Sequence, residues 1–92
     1  MPTSLTARQH ADLKARAHAL EPVVQTGTSG LTDRLVAEVD RALTAHELIK
    51  VKVVSDDRAE RVAIGDELAA RTTAIVVHRV GKIVILWRPH PE

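Results

Sequence analysis

Two glycines separated by two hydroxyl-bearing residues, Gly27-Thr28-Ser29-Gly30, are the part of this chain whose residue types and spacing most directly suggest chemistry. Glycine carries no Cβ and adopts positive φ readily, so such a turn can bring peptide N–H groups close to a ligand. Thr32 can cap a helix just after the turn, and a helix N-terminus attracts phosphate. The same spacing also occurs in ordinary chain reversals. The motif therefore predicts either a plain turn or a phosphate-binding loop in which Thr28 and Ser29 add hydroxyl donors.

Six basic side chains could neutralise phosphates near this turn. They belong to the first predicted helix, a central strand and the last predicted hairpin: Lys14, Arg16, Lys50, Lys52, Lys82 and Arg88. Charged strand residues are also common where an exposed sheet must avoid unwanted pairing. Arg88 could instead pair with a helix carboxylate. Acidic residues fall mainly on the second and third predicted helices, so the sheet side should be the more basic one.

The composition excludes several kinds of site. The 92 residues include no cysteine, which excludes a disulfide, a thiol nucleophile and a zinc knuckle. Trp87 is the only aromatic residue and is predicted to lie in the core or on the sheet surface, so we expect no aromatic platform for stacking bases. The histidines lack metal-ligand spacing, and the chain has neither a Walker loop nor a recognisable Ser-His-Asp arrangement. The sequence therefore predicts no metal site, no cofactor and no enzymatic activity.

Charge and hydropathy indicate the cellular location of the protein and the kinds of partner it could have. Thirteen Lys and Arg against twelve Asp and Glu give a net charge of +1, so overall charge does not by itself indicate a nucleic-acid partner. The chain has no apolar N-terminal run and no segment approaching about 18 uninterrupted apolar residues. We therefore expect a cytoplasmic protein without membrane contact.

Helix and strand signals alternate along the chain. Three capping signals each predict a helix: the capping box Thr6-Ala7-Arg8-Gln9 begins one that runs to about Ala19, Thr32 caps one over about 33–45, and Ser55-Asp56-Asp57 caps one that runs to about Thr72. Strand patterns follow Pro22 and occupy 48–54, 74–80 and 83–88, with Gly81-Lys82 as a two-residue type II′ hairpin turn. This order indicates one α/β domain over 1–92, with a four-stranded mixed sheet and a short loose tail at 89–92.

The hairpin register predicts which side chains share a sheet face. With Val80 opposite Ile83, one face carries Val76, His78, Ile85 and Trp87, and the other carries Ile75, Val77, Arg79, Val84, Leu86 and Arg88. Both faces are apolar near the middle, so we expect the first helix to cover one face and the other two helices to cover the opposite face. In the central strand, alternation places Lys50 and Lys52 away from Ile49, Val51 and Val53.

Longer motifs occur in order along nearly the whole chain: Ala17-His18-x-Leu20-x-Pro22, Gly27-Thr28-Ser29-Gly30-Leu31-Thr32, Glu47-Leu48-Ile49-Lys50-Val51-Lys52 and Gly81-Lys82-x-Val84-x-Leu86-Trp87-Arg88-Pro89. Together they resemble the CRM domain, most closely the bacterial stand-alone YhbY-like type. The resemblance implies an RNA-binding domain related in fold to the C-terminal domain of translation initiation factor three, with a Gly-x-x-Gly loop like that of KH domains. It places that loop at 27–30 and further family positions at Lys50, Gly81 and Arg88. Trp87 stands where the family usually has tyrosine.

The resemblance also implies a biological setting. Bacterial members are associated with precursor large ribosomal subunits, so the expected partners are large-subunit ribosomal RNA and the pre-ribosomal particle. Our main hypothesis is a monomeric, non-enzymatic assembly factor that contacts RNA backbone through residues 27–30 and the six basic residues named above. The alternative is a protein-binding adaptor whose near-neutral surface and acidic helices engage a ribosomal protein or an assembly factor.

Overall fold

The computed structural model describes residues 5–27 and 30–90 of the chain. Within these ranges it has three helices and four strands in the predicted order: α1 (Ala7–His18), β1 (Pro22–Gln25), α2 (Asp33–His46), β2 (Leu48–Lys52), α3 (Arg58–Thr72), β3 (Ile75–Val80) and β4 (Ile83–Trp87). The strands form one sheet in the order β1-β2-β4-β3. β1 is parallel to β2, whereas β4 is antiparallel to both β2 and β3. The predicted α/β fold with a four-stranded mixed sheet is confirmed.

Helices cover the two faces of the sheet unequally, as predicted. α2 and α3 pack on one face, and fully buried side chains such as Leu43 and Leu86 belong to this larger core. α1 alone packs on the other face through Leu13 and Ala17, and Trp87 lies half-buried beside them. Burying a leucine fully contributes about 2 kcal/mol, so the larger core provides most of the stability. Because a single helix covers the second face, part of that face stays open.

Each helix begins at a capping residue that the sequence predicts. Thr6 and Gln9 form a reciprocal capping box, in which each side chain accepts a hydrogen bond from the other residue's amide. Thr32 Oγ1 accepts from the Leu35 amide at 3.1 Å, and Asp57 caps α3 in the same manner. Each cap satisfies an N–H that the helix leaves free and stabilises by about 1 kcal/mol. The cap at Thr32 fixes the start of α2 directly after the glycine turn.

The turn between β3 and β4 has the predicted geometry. Gly81 has a φ of +56°, and Lys82 is not among the residues with positive φ. A positive φ at the first central position alone is typical of a type II′ turn. Val80 lies opposite Ile83, so the predicted register at the turn is confirmed.

The predicted register is wrong farther along β3. This strand bulges at Val77, so Val76 lies opposite Leu86 instead of Trp87. A bulge places two residues opposite one and reverses the alternation of side chains beyond it. The faces predicted for residues 75–77 are therefore exchanged: Val77 is buried against α1, whereas Val76 packs toward α2 and α3.

The end of the chain is attached to α2 as far as His90. The His90 amide donates to Glu47 Oε1 at 3.2 Å, and His90 Nε2 lies 3.3 Å from the carbonyl oxygen of Leu43. The tail predicted to be loose over 89–92 is thus held by hydrogen bonds in its first half, and residues 91 and 92 lie outside the described ranges.

Candidate nucleic-acid interface

The glycine turn lies at one end of the sheet. β1 ends at Gln25, which pairs with Lys52, the last residue of β2. Just beyond this pair the chain reverses, and the Gly30 amide donates to the carbonyl oxygen of Gly27 at 3.1 Å. Gly30 has a φ of +70°, in the left-handed region that favours glycine. The turn is therefore tight, and it stands next to the end of the strand that carries Lys50 and Lys52.

The hydrogen bond inside the turn corrects one expectation. Because the Gly30 N–H already donates to the Gly27 carbonyl oxygen, it is not available to hold a phosphate. The predicted contacts of Thr28 and Ser29 lie outside the described residues. Gly27 is exposed, and among the described residues no neighbouring atom lies within 4 Å of the position that a Cβ would occupy. The chain at Gly27 is therefore accessible to a ligand.

Thr26 positions the turn, although the glycine motif alone does not identify it. Its side chain is buried, with 2 % of the residue exposed. The Thr26 amide donates to the Lys52 carbonyl oxygen at 2.9 Å, and Thr26 Oγ1 accepts from the Val54 amide at 2.8 Å. These bonds hold the turn against the end of β2 and the connection that follows it. The available sequence signal was a hydroxyl residue between an apolar strand and the first glycine.

Positive charge is concentrated on α1 and β2. These two elements carry five basic residues and one acidic residue, Asp12, which gives a formal charge of +4; the basic residues are Arg8, Lys14, Arg16, Lys50 and Lys52. The rest of the chain carries eight basic and eleven acidic residues, a formal charge of −3. The net charge of +1 therefore conceals a basic face.

Lys50 and Lys52 lie on the sheet face that α1 covers only in part. Their neighbours along β2 are buried on the opposite face, as the alternation predicts. Lys50 pairs in register with Ile85 and Lys52 with Ile83, and both isoleucines pack in the cluster under α1. Lys14 projects from α1 as an exposed residue. Among the described residues, no carboxylate lies within 4.0 Å of these three lysines, so their charges are available to an anion.

Two further predicted cations border this face. Arg16 lies 4.0 Å from Asp12 on α1 and lines a groove of about 340 Å³ that extends to β1. Lys82 lies at the tip of the hairpin, at the same end of the sheet as the glycine turn, and its Nζ is 3.2 Å from Asp56 Oδ1. Exposed ion pairs of this kind contribute only about 0–1 kcal/mol, so a phosphate could replace either carboxylate.

Arg34 lines a second cleft beside the turn and was not a predicted site residue. The cleft has a volume of about 340 Å³ and is also lined by Gly27, Gly30 and Glu38. Arg34 Nε lies 3.5 Å from Glu38 Oε1. Because the cleft holds one charge of each sign, the positive charge near the turn comes mainly from Lys52. The sequence signal for Arg34 was its place in the first turn of a capped helix directly after the glycines.

Arg88 pairs with a helix carboxylate, Asp40, which is the alternative that the sequence predicts for it. Its guanidinium donates to Asp40 Oδ1 at 2.6 Å, to the Asp40 carbonyl oxygen at 3.1 Å, to Thr44 Oγ1 at 2.9 Å and to the Thr72 carbonyl oxygen at 2.8 Å. Only 18 % of the side chain is exposed. It also follows β4 at the end of the sheet opposite the glycine turn. We therefore leave Arg88 out of the candidate interface.

Two histidines contact each other where α1 crosses β3. His10 Nε2 bonds the carbonyl oxygen of Val77, and the rings of His10 and His78 lie 6.1 Å apart in an edge-on arrangement. Burial lowers the pKa of His78 below its ordinary value of 6.5, and the nearby charges of Lys14 and His10 lower it further. The folded protein thus disfavours protonation of His78.

This pKa shift predicts a loss of stability in mild acid. A histidine whose pKa is lower in the folded state binds fewer protons there than in the unfolded chain, so stability falls as pH drops from about 6.5 toward the lowered value. We expect the free energy of unfolding, measured in urea, to decrease between about pH 7.5 and pH 5.5. The decrease should be smaller for His78→Gln. Identical pH dependence in the two proteins would contradict the shift.

Other kinds of site find no support in the part of the chain that the structure describes. No group of three or more His, Asp or Glu side chains is arranged to hold a metal ion there. No helix within the described ranges is both long and apolar enough to cross a membrane.

Together these features define a class of protein: a small α/β domain with one basic face and a glycine turn at the end of its sheet. The family model described as "CRS1 / YhbY (CRM) domain" matches residues 5–88. The chain therefore belongs to the CRS1/YhbY (CRM) domain family. The resemblance found in its motifs is confirmed.

Individual relatives match over nearly their whole length. An "RNA-binding protein" of Haemophilus influenzae is 43% identical over 90 residues, which cover 98% of this chain and 91% of that protein. "Probable RNA-binding protein PA4753" of Pseudomonas aeruginosa is 39% identical over 89 residues, which cover 97% of this chain and 86% of that protein. The solution structure of the hypothetical protein SAV1595 from Staphylococcus aureus superposes with a TM-score of 0.84 at 27% identity, covering 97% of this chain and 93% of that one. The similarity thus extends over the whole domain.

Proposed function

We propose that this protein binds RNA, mainly through backbone phosphates, on the face formed by α1 and β2. The observation that carries the proposal is the charge distribution: a formal charge of +4 on these two elements against −3 on the rest of the chain. Phosphate contacts supply most of the sequence-independent affinity for a nucleic acid. Two relatives named as RNA-binding proteins, matched over nearly the whole chain, support the same assignment.

Lys14, Lys50 and Lys52 would make the main phosphate contacts. The two strand lysines are two residues apart on one sheet face, and α1 brings Lys14 to the same face. Phosphate would replace water around ammonium groups that have no nearby carboxylate in the described part of the protein, so no existing ion pair must be broken. Arg16 and Lys82 lie at the borders of this face and would extend the contact.

The glycine turn would add a backbone contact at the end of the basic face. Thr26 holds the turn beside Lys52, and the open space at Gly27 would let a phosphate approach the main chain. The amides of residues 28 and 29, with the Thr28 and Ser29 hydroxyls, would be the donors, since the Gly30 N–H is already bonded. Lys52 would then neutralise the adjacent phosphate.

For the biological role, we propose assembly of the large ribosomal subunit, with its RNA in the pre-ribosomal particle as the ligand and without enzymatic activity. The support is the membership of the CRS1/YhbY family together with the backbone-directed character of the proposed contacts. A surface that contacts phosphates through lysines suits structured RNA, because it does not require access to base edges.

A salt titration tests the basic face. In a variant with Lys50→Gln and Lys52→Gln, the affinity for a large-subunit ribosomal RNA fragment should fall by about tenfold near 0.1 M salt. The slope of log affinity against log salt should become shallower by about 1.4 to 1.8, because each phosphate contact contributes about 0.7 on a single strand and about 0.9 on a duplex. Fluorescence anisotropy at several salt concentrations would measure both quantities.

The matched control removes two arginines from α2 and α3 instead. Arg41→Gln with Arg71→Gln makes the same change in net charge, and both residues are exposed outside the basic face. We expect this variant to keep its salt slope. Equal losses in the two variants would show that only total charge matters. RNA-independent association with ribosomal particles that survives high salt and nuclease would favour the protein-binding adaptor instead.

A further inference from the structure

A second group of cations lines a cleft on the other side of the hairpin from the basic face. The cleft has a volume of about 350 Å³ and lies between the first turns of α3 and the tip of the β3–β4 hairpin. Four of its lining residues are basic and none is acidic: Arg58, Arg61, Arg79 and Lys82. Its floor is apolar, formed by side chains such as Val53 and Val84. Cations from separate elements thus converge on one concave surface.

The arginines of the cleft keep free donors. Arg61 Nη1 donates to the Ser55 carbonyl oxygen at 2.8 Å, and Arg79 Nη2 bonds Asp66. A guanidinium has five N–H donors, so each of these residues retains others that can reach an anion. No carboxylate within the described ranges lies within 4.0 Å of Arg58 or Arg61. The cleft therefore has unneutralised charge and unused hydrogen-bond donors.

The cleft and the glycine turn lie at the same end of the molecule. The Val53 amide donates to the Lys82 carbonyl oxygen at 2.6 Å, and the next residue, Val54, donates to Thr26 beside the turn. The short connection after β2 therefore joins the two sites. An RNA chain held at the glycine turn could reach the cleft by passing over this connection.

We propose that the cleft of Arg58, Arg61, Arg79 and Lys82 is a second phosphate-binding site, which takes a backbone phosphate of the same RNA. Planar guanidinium groups suit phosphate because they donate two parallel hydrogen bonds. The proposal rests on the proposed RNA-binding function and extends it to a surface that the basic face does not include. RNA would contact both sides of the hairpin, with Lys82 at the edge between them.

The test removes the two arginines that have no carboxylate partner. We expect Arg58→Gln with Arg61→Gln to lower the affinity for a large-subunit ribosomal RNA fragment by about tenfold at 0.1 M salt and to reduce the salt slope by about 1.4 to 1.8. Arg58 lies at the positive end of α3, so its removal should not weaken the helix. Arg58→Gln alone, which breaks no hydrogen bond of the described residues, should show about half of the slope change.

The outcomes separate this proposal from the proposed function. The Arg41→Gln, Arg71→Gln variant serves again as the charge-matched control. If the wild type binds the RNA and the Arg58, Arg61 variant binds equally well, or no worse than this control, the cleft site is overturned and the basic face stands. If the wild type itself does not bind, the proposed function fails.

Amide resonances distinguish an RNA phosphate from a free one. With the RNA fragment, the amides of Arg61, Gly81 and Lys82 should shift in the wild type and shift less in the Arg58, Arg61 variant. Inorganic phosphate at the same phosphate concentration should shift them weakly. Saturation by inorganic phosphate alone, with RNA affinity unchanged in the variant, would overturn an RNA site in favour of a small phosphate-bearing ligand.

Discussion

Replacing both Gly27 and Gly30 by aspartate should lower RNA affinity by about a hundredfold, the largest functional effect that we expect from any change. A carboxylate about 6 Å from a phosphate repels it by about 3 kcal/mol at an effective dielectric constant of about 20. The fold should survive, because aspartate is one of the few residues that tolerate a φ near +70°. A Cβ at position 30 would lie at an ordinary contact distance, 3.8 Å, from Ile64 Cδ1.

The asparagine pair at the same positions is the matched control. Gly27→Asn with Gly30→Asn imposes the same backbone requirement and nearly the same volume, without charge. We expect it to lose much less affinity than the aspartate pair. Fluorescence anisotropy, with circular dichroism to verify folding, measures the difference. Equal affinity of the wild type and the folded aspartate pair would remove the turn from the mechanism.

Replacing Arg88 by glutamine should have the largest effect on stability among the six basic residues predicted as RNA contacts. The guanidinium joins β4 to α2 and α3 through four hydrogen bonds, two of them to Asp40. The guanidinium is largely buried whereas the Asp40 side chain is 57 % exposed, and losing the charged hydrogen bonds of such a partly exposed network costs about 2–3 kcal/mol. For a chain of this length we expect the Tm to fall by roughly 10 to 20 °C. Urea and thermal unfolding would measure both quantities.

The comparison for Arg88 is Arg34, whose side chain is 89 % exposed and pairs with Glu38. Arg34→Gln should change stability by less than about 1 kcal/mol. The RNA affinity of Arg88→Gln should equal that of the wild type at temperatures where both are folded. A large loss of affinity without a loss of stability would return Arg88 to the RNA-binding surface.

Local signals were sufficient to predict most of the fold. Thr6, Thr32 and Asp57 cap the helices because their side-chain oxygens bond nearby amides, an effect that depends only on adjacent residues. Gly81-Lys82 set the hairpin turn for the same reason. The bulge at Val77 could not be predicted, because Ile75, Val76 and Val77 are all β-branched and apolar and fit either face of the sheet. Packing against α1 on one side and α3 on the other decides which of them is buried where.

The parts of the candidate site that depend on the alternation of side chains along a strand were predictable. The parts that depend on the conformation of a whole turn, or on contacts between distant elements, were not. The period of β2 placed Lys50 and Lys52 on one face correctly. The bond between Gly30 and Gly27 depends on the conformation of the whole turn, which the tetrapeptide does not specify. Arg58 and Arg79 meet in a cleft although they are far apart in the chain and on different elements, so no local motif joins them.

The uneven division of formal charge, +4 on α1 and β2 against −3 on the rest of the chain, makes the protein electrically asymmetric despite its near-zero total. In the field of a polyanion such a molecule should turn its lysine-bearing side inward before contact, which raises the fraction of productive encounters.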